Sequence, residues 1–159
     1  MLNGIGNAAL LQAPLAAFFA SRQCPGTAIR AAMAWAVAQA HAGHGVLSGF
    51  HSPLEQSVLN VILVAKTPAV VVLARPVQGA RLPTEWARAV GAQHLLVVSS
   101  SGPPDAPRLT AKAARERNEL AARLASHIVI AHATPSGQLA RQVTAWQACG
   151  ALVELLAGS

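Results

Sequence analysis

Short apolar runs alternate along the chain with helical patterns. The runs are LAAFFA (Leu15–Ala20), GVLS (Gly45–Ser48), AVVVLA (Ala69–Ala74), HLLVVSS (His94–Ser100) and HIVIA (His127–Ala131). The patterns that follow them are GTAIRAAMAWAVAQAHA, PLEQSVLNVILVA, PTEWARAV, TAKAARERNELAARLA and SGQLARQVTAWQACG, and a last short run, ALVELL, closes the chain. Repeated strand-then-helix units predict an α/β fold with a mostly parallel sheet covered by helices on both faces. Strands buried on both faces read as continuous apolar runs rather than as alternation, and these runs are continuous. Right-handed crossovers then restrict the topology. At 159 residues the chain is expected to be one domain, residues 1–159.

In parallel sheets ligands sit beyond the carboxyl ends of the strands, so the loops there matter most. The first run stops at Ser21-Arg22, and the second leads into SGFHSP with Ser48, Gly49 and His51. The third leads into RPVQG, and the fourth into SSSGPPDAPR, expected to be a mobile loop of small and proline residues. The fifth leads into HATPSGQ, where Ser136-Gly137 opens a helix. Free N–H groups and the positive dipole end at such helix starts suit a phosphate or carboxylate. Serine is also a common helix cap and glycine a common turn residue, so each pair alone reads as a cap. Their collection at one edge is what favours a shared site.

Charge adds to this picture. The chain carries twelve Lys and Arg against six Asp and Glu, for a net charge of +6. A basic chain favours anionic partners such as nucleotides or nucleic acid, although no basic block is present. The chain is 53% hydrophobic and 11% charged, which excludes a disordered chain. No run reaches the roughly 18 residues that span a bilayer, and no basic segment precedes an apolar leader, so a cytoplasmic location is expected and no membrane partner. Cys24 and Cys149 form neither a metal spacing nor a disulfide framework. Neither G-x-G-x-x-G nor a Walker phosphate loop is present.

On a helical wheel of about 100° per residue, Leu109, Ala113, Leu120 and Leu124 share a stripe, with Arg117 on its edge. Lys112, Arg115, Glu116, Glu119 and Arg123 fall on the other side, spaced for Lys112–Glu116, Arg115–Glu119 and Glu119–Arg123 pairs on a solvated face. Arg117 is thus the basic residue of this helix directed toward the sheet. It either lays its stem over the core rim or clamps an anion.

Three stretches carry a family resemblance. GNAALLQAPLAAFFASR resembles the entry to the Rossmann-like domain of the DNA-processing protein A family, where Gly-Asn and an apolar strand lead into Gly-Ser-Arg. GVLSGFHSPLEQ resembles that family's Ser-Gly-x-Ala-x-Gly-Ile-Asp, and RERNELAARLASHIVIAHATPSGQLARQV its Arg-Asn, apolar strand and Ser-Gly-Ser-Leu. The likeness runs from residue 6 to about residue 145. It implies a Rossmann-like three-layer sandwich and adds Arg117-Asn118 to the candidate site, giving Ser21, Arg22, Ser48, Gly49, His51, Arg117, Asn118, Ser136 and Gly137. Departures are Ala20 for the glycine before Ser21, Pro53 for glycine, Glu55 for aspartate, and PPDAPRLTAKAARE for a basic, aromatic stretch.

The superfamily also holds lysine-decarboxylase-like nucleotide phosphoribohydrolases, with Pro-Gly-Gly-x-Gly-Thr-x-x-Glu. Set on Pro135-Ser136-Gly137, that pattern meets Leu139, Ala140 and Val143, and valine cannot serve as an acid or base. Glu55 is the one plausible carboxylate for an enzyme, and a helix N-terminal charge is its plainer role. Cys24 reads as an inert thiol, and His41 and His44 lack further metal ligands. Trp35, Trp86 and Trp146 fall in helices and read as core or interface, and aromatics at 4% of residues disfavour a strand-binding protein built on base stacking. The leading expectation is therefore a stand-alone, non-catalytic module that binds a nucleotide or related phosphorylated small molecule, with no cofactor or metal. The alternatives are a nucleotide-processing hydrolase and a single-stranded DNA-binding protein of the DNA-processing type. A homodimer is the oligomer allowed for.

Overall fold

The apolar runs become the strands of a single sheet in a computed structural model of the chain, which describes residues 2–100 and 110–156. The elements are β1 (Leu2–Gly6), a 3-10 turn (Ala8–Gln12), β2 (Leu15–Ala20), α1 (Gly26–Ala42), β3 (Gly45–Ser48), α2 (Pro53–Val64) and β4 (Ala69–Val72). They continue with α3 (Thr84–Gly91), β5 (Leu95–Ser100), α4 (Ala111–Leu124), β6 (His127–His132), α5 (Gln138–Ala148) and β7 (Val153–Leu155). The sheet order is β1-β5-β4-β3-β2-β6-β7. All neighbours pair in parallel except β1, which runs antiparallel to β5 from Leu2↔Ser100 to Gly6↔Leu96. This is the expected α/β, Rossmann-like three-layer sandwich.

Two features depart from the pattern. β1 carries two glycines and an asparagine among five residues, so it does not read as a strand in sequence. It forms because β5 offers it a partner, and Gly6 is required there. Its φ is +122°, and a Cβ would lie 2.7 Å from the Leu95 carbonyl oxygen. The closing run ALVELL supplies only a three-residue edge strand, with Leu155 half exposed at 52%. The expected loop after β5 falls largely on residues 101–109, outside the described residues.

The two-residue period of each strand sorts its side chains into two cores. Ala16, Phe18 and Ala20 of β2 face α1, α2 and α3, packing with Ala32, Ala36, Val58 and Ala89. Leu15, Ala17 and Phe19 face α4 and α5, packing with Ala121, Val143 and Trp146. Phe18 stacks on Trp35 with centroids 5.2 Å apart, and Phe19 tilts against Trp146 at 5.0 Å. Val143 is thus a core residue. Each buried phenylalanine contributes roughly 1.5 to 3 kcal/mol. Among the described residues no helix is long and apolar enough to cross a membrane.

Candidate functional site at the strand ends

Six parallel strands, β2 to β7, bring their carboxyl ends to one edge. β2 sits between β3 on one side and β6 on the other, so the direction of strand order reverses at β2 and β6. Crevices at such reversals are where ligands bind in open sheets. Here the two loops are tied together. The Ser21 N–H donates to the His132 carbonyl at 2.9 Å, and the Thr134 N–H donates to Ser21 Oγ at 2.8 Å. Arg22 beside them is exposed. Across the crevice Ser136 has φ +63° and is exposed, while Gly137 caps α5. A Cβ on Gly137 would lie 3.0 Å from the Thr134 carbonyl oxygen. Arg141 Nη1 donates to the Ser136 carbonyl at 2.8 Å.

The loop after β3 is organised by Glu55, which is 6% exposed. Its carboxylate accepts from three backbone N–H groups: Ala20 at 3.0 Å, His51 at 2.9 Å and Ser52 at 3.1 Å. The Glu55 N–H donates in turn to Ser52 Oγ, which completes a capping box on α2 with Pro53 in its first turn. Glu55 is therefore the helix N-terminal charge expected, buried and joining the end of β2 to the start of α2. Ser48 is fully buried, and its Oγ accepts from the Phe50 N–H at 3.0 Å. Cys24 donates its thiol to the Ser21 carbonyl at 3.2 Å. Burial first, and the Glu55 carboxylate second, hold that thiol above its ordinary pKa, which makes it a poor nucleophile.

Beside this loop lies a cleft of about 800 Å³. Gly49, His51, Arg75, Arg81, Trp86 and Arg117 line it, with leucines from α2 and the β4–α3 loop between them. Arg117 comes from α4, on the opposite face of the sheet, and crosses over Gly49 to get there. A Cβ on Gly49 would lie 2.5 Å from Arg117 Nε and 2.6 Å from its Cδ, so only glycine leaves room for the crossing. Burial pulls the Arg117 guanidinium below its ordinary pKa, and the Glu55 carboxylate pushes it back up. It stays charged at any physiological pH. Its hydrogen bonds go to Asn118 Oδ1, at 3.4 Å from Nε and 3.3 Å from Nη2, and it forms no ion pair with a described carboxylate. A half-buried cation whose hydrogen bonds go to a neutral amide is suited to an anion.

The candidate residues thus fall into groups. Gly49, His51 and Arg117 meet in the cleft, and at the β2–β6 crevice Ser21, with exposed Arg22 next to it, is tied through Thr134 to the loop that carries Ser136 and Gly137. Ser48 supports the β3 turn from inside. The Asn118 side chain turns to α5, where Nδ2 donates to Gln142 Oε1 at 3.0 Å. Arg75 and Arg81 join the cleft from a loop that carries no strand or helix pattern, and Trp86 joins it from α3 rather than serving only as core. The solvated ion-pair ladder on α4 does not form among the described residues. Glu119 instead accepts from Trp146 Nε1 at 3.0 Å and from Gln142 Nε2 at 3.1 Å, because a buried indole N–H needs an acceptor. No group of three metal-ligating side chains occurs among the described residues.

The fold has known counterparts. The model of the family "DNA recombination-mediator protein A" matches residues 1–153. The X-ray structure of DNA processing protein A from Streptococcus pneumoniae superposes with a TM-score of 0.79 at 19% identity, covering 99% of this chain and 55% of that one. The chain therefore spans about half the length of that protein. DNA processing protein A from Helicobacter pylori, whose structure was described for its single-stranded DNA binding mode, superposes with a TM-score of 0.78 at 17% identity, covering 97% of this chain and 70% of that one. No curated protein matches the chain by sequence.

Proposed function

The chain belongs to the DNA recombination-mediator protein A family, and from that premise we propose that its strand-end edge binds single-stranded DNA. The observation that carries the reading is Arg117, a half-buried guanidinium held over Gly49 that forms no ion pair with a carboxylate among the described residues. Arg22, Arg75 and Arg81 extend positive charge along the same edge, in a chain of net charge +6. A phosphate backbone laid along the edge meets these groups and releases counterions, so affinity falls as salt rises. Low aromatic content does not count against this reading, because the arginines recognise phosphate rather than base.

Fluorescence anisotropy with a labelled oligothymidylate tests it. Arg117→Ala is expected to cost roughly 1.5 to 3 kcal/mol of binding, as for a charge-assisted contact, and Arg115→Ala little. The salt slope should drop by about 0.7 for each phosphate contact removed. Equal, small losses at both sites, or no binding by the unaltered protein, would reject the reading.

A second reading rests on the cleft itself. Its volume of about 800 Å³ lies in the range of small-ligand pockets, and it pairs arginines with Trp86 and leucine walls. A mononucleotide or related phosphorylated small molecule matches that lining. A nucleotide present at 100 times its dissociation constant should add about 2.7 kcal/mol of stability in a thermal-shift screen. No catalytic role goes to Glu55, whose oxygens are both taken by backbone donors.

A further inference from the structure

Between α4 and α5 runs a chain of five polar side chains that begins at Arg117 and ends at Trp146. Arg117 donates to Asn118 Oδ1 at 3.3 and 3.4 Å. Asn118 Nδ2 donates to Gln142 Oε1 at 3.0 Å. Gln142, only 5% exposed, donates both hydrogens of Nε2, one to the Arg115 carbonyl and one to Glu119 Oε1, each at 3.1 Å. Glu119 also accepts from Trp146 Nε1, whose side chain is 7% exposed and packs on Phe19.

The donors and acceptors allow one arrangement. A carbonyl and a carboxylate only accept, so they fix which end of the Gln142 amide faces them. Its oxygen must then face Asn118, whose nitrogen must donate. That leaves the Asn118 oxygen, an acceptor, turned to Arg117, and a guanidinium can only donate. Reversing either amide would set donor against donor inside a buried network.

We propose that Gln142 is a positioning residue for Arg117. It fixes the Asn118 amide so that an acceptor holds the guanidinium over Gly49 at the cleft mouth. The anchor lies at the α4–α5 interface, in the core opposite the cleft, so neither Gln142 nor Glu119 lines the cleft. The acceptor is neutral and therefore orders Arg117 without cancelling the charge that an anion needs. Had a carboxylate held the arginine instead, it would have competed with the phosphate. This role in binding rests on the single-stranded DNA reading above.

The test uses the whole chain and two readouts. In nitrogen-15 NMR without ligand, the Arg117 Nε–H signal, assigned by its loss in Arg117→Lys, is expected to exchange slowly with water. Gln142→Met removes the relay at similar volume and should bring that exchange to the rate of exposed Arg123. Asn118→Ala removes the acceptor that Gln142 sets and should have the same effect, which covers the case where Gln142→Met does not fold. In oligothymidylate binding, Gln142→Met should lower affinity by about 3- to 10-fold in the unaltered background and by nothing in the Arg117→Ala background. An unchanged Arg117 exchange rate in a folded variant, or equal losses in both backgrounds, overturns the proposal. Failure of the unaltered protein to bind DNA would reject the binding reading alone, since the exchange measurement judges the positioning by itself.

Discussion

Replacing Glu55 separates a structural carboxylate from a catalytic one. In Glu55→Ala three backbone N–H groups lose their acceptor. His51 is exposed and its N–H turns to water, whereas Ala20 and Ser52 are buried at 4% and 8%. Each buried donor left unsatisfied costs about 1 to 3 kcal/mol, so the two together cost about 4 kcal/mol. Glu55→Gln is milder for a geometric reason. Oε1 serves both His51 and Ser52, so one amide oxygen keeps those bonds. Only Oε2, which serves Ala20, becomes a nitrogen facing an N–H, which costs about 2 kcal/mol. Urea unfolding measures both. With a slope of about 2 kcal/mol/M, the midpoint should fall by about 1 M in Glu55→Gln and about 2 M in Glu55→Ala, at unchanged slope. Losses under about 0.5 kcal/mol, typical of plain surface substitutions, would refute the reasoning, as would equal losses in the two variants.

Gly49→Ala should displace Arg117 from the cleft mouth and lower oligothymidylate affinity by about as much as Arg117→Ala, with unfolding stability within about 1 kcal/mol of the unaltered protein, because a side chain rather than backbone gives way. Gly6→Ala should instead reduce stability, by about 1 to 3 kcal/mol, because its Cβ meets the Leu95 backbone at a positive φ, and amide exchange across Leu2–Gly6 should accelerate. Thiol alkylation at pH 8 should modify exposed Cys149 first, with Cys24 slower because its raised pKa leaves less thiolate, and raising the pH should narrow the gap. Phe18→Ala should cost about 3 to 5 kcal/mol in urea unfolding, through loss of a fully buried ring stacked on Trp35.

Much of this architecture can be read from the order of residues, and the remainder has identifiable causes. LAAFFA and GVLS begin and end where the strands do, because continuous apolar runs bounded by polar residues have one use in such a fold. GTAIRAAMAWAVAQAHA is α1 residue for residue. β1 escapes because its glycines carry no strand signal, and its existence depends on β5, more than ninety residues away. The direction of Arg117 toward the sheet is legible from a helical wheel, since it needs only local geometry. Its crossing of Gly49 is not, since that joins two helical layers over a strand end. Glu119 shows the same limit. Local spacing pairs it with Arg115 and Arg123, while its partners lie more than twenty residues on, in α5. Arg75 stands in the marked strand-end loop RPVQG, but neither it nor Arg81 is singled out, because a cleft is a product of several elements and no single loop announces it.

The placement of β2 has a consequence for how the chain is made. Its neighbour β3 follows within thirty residues, but β6, its other neighbour, begins at His127. At roughly 5 to 20 residues per second of synthesis, the open side of LAAFFA waits several seconds or more for its partner. During that interval a run with no polar side chain presents unpaired backbone to whatever is near, the condition that favours pairing with the wrong strand. Co-translational chaperone dependence should therefore track the delay before β6 emerges, and lengthening the α4 region should worsen aggregation of newly made chains without altering the stability of those already folded.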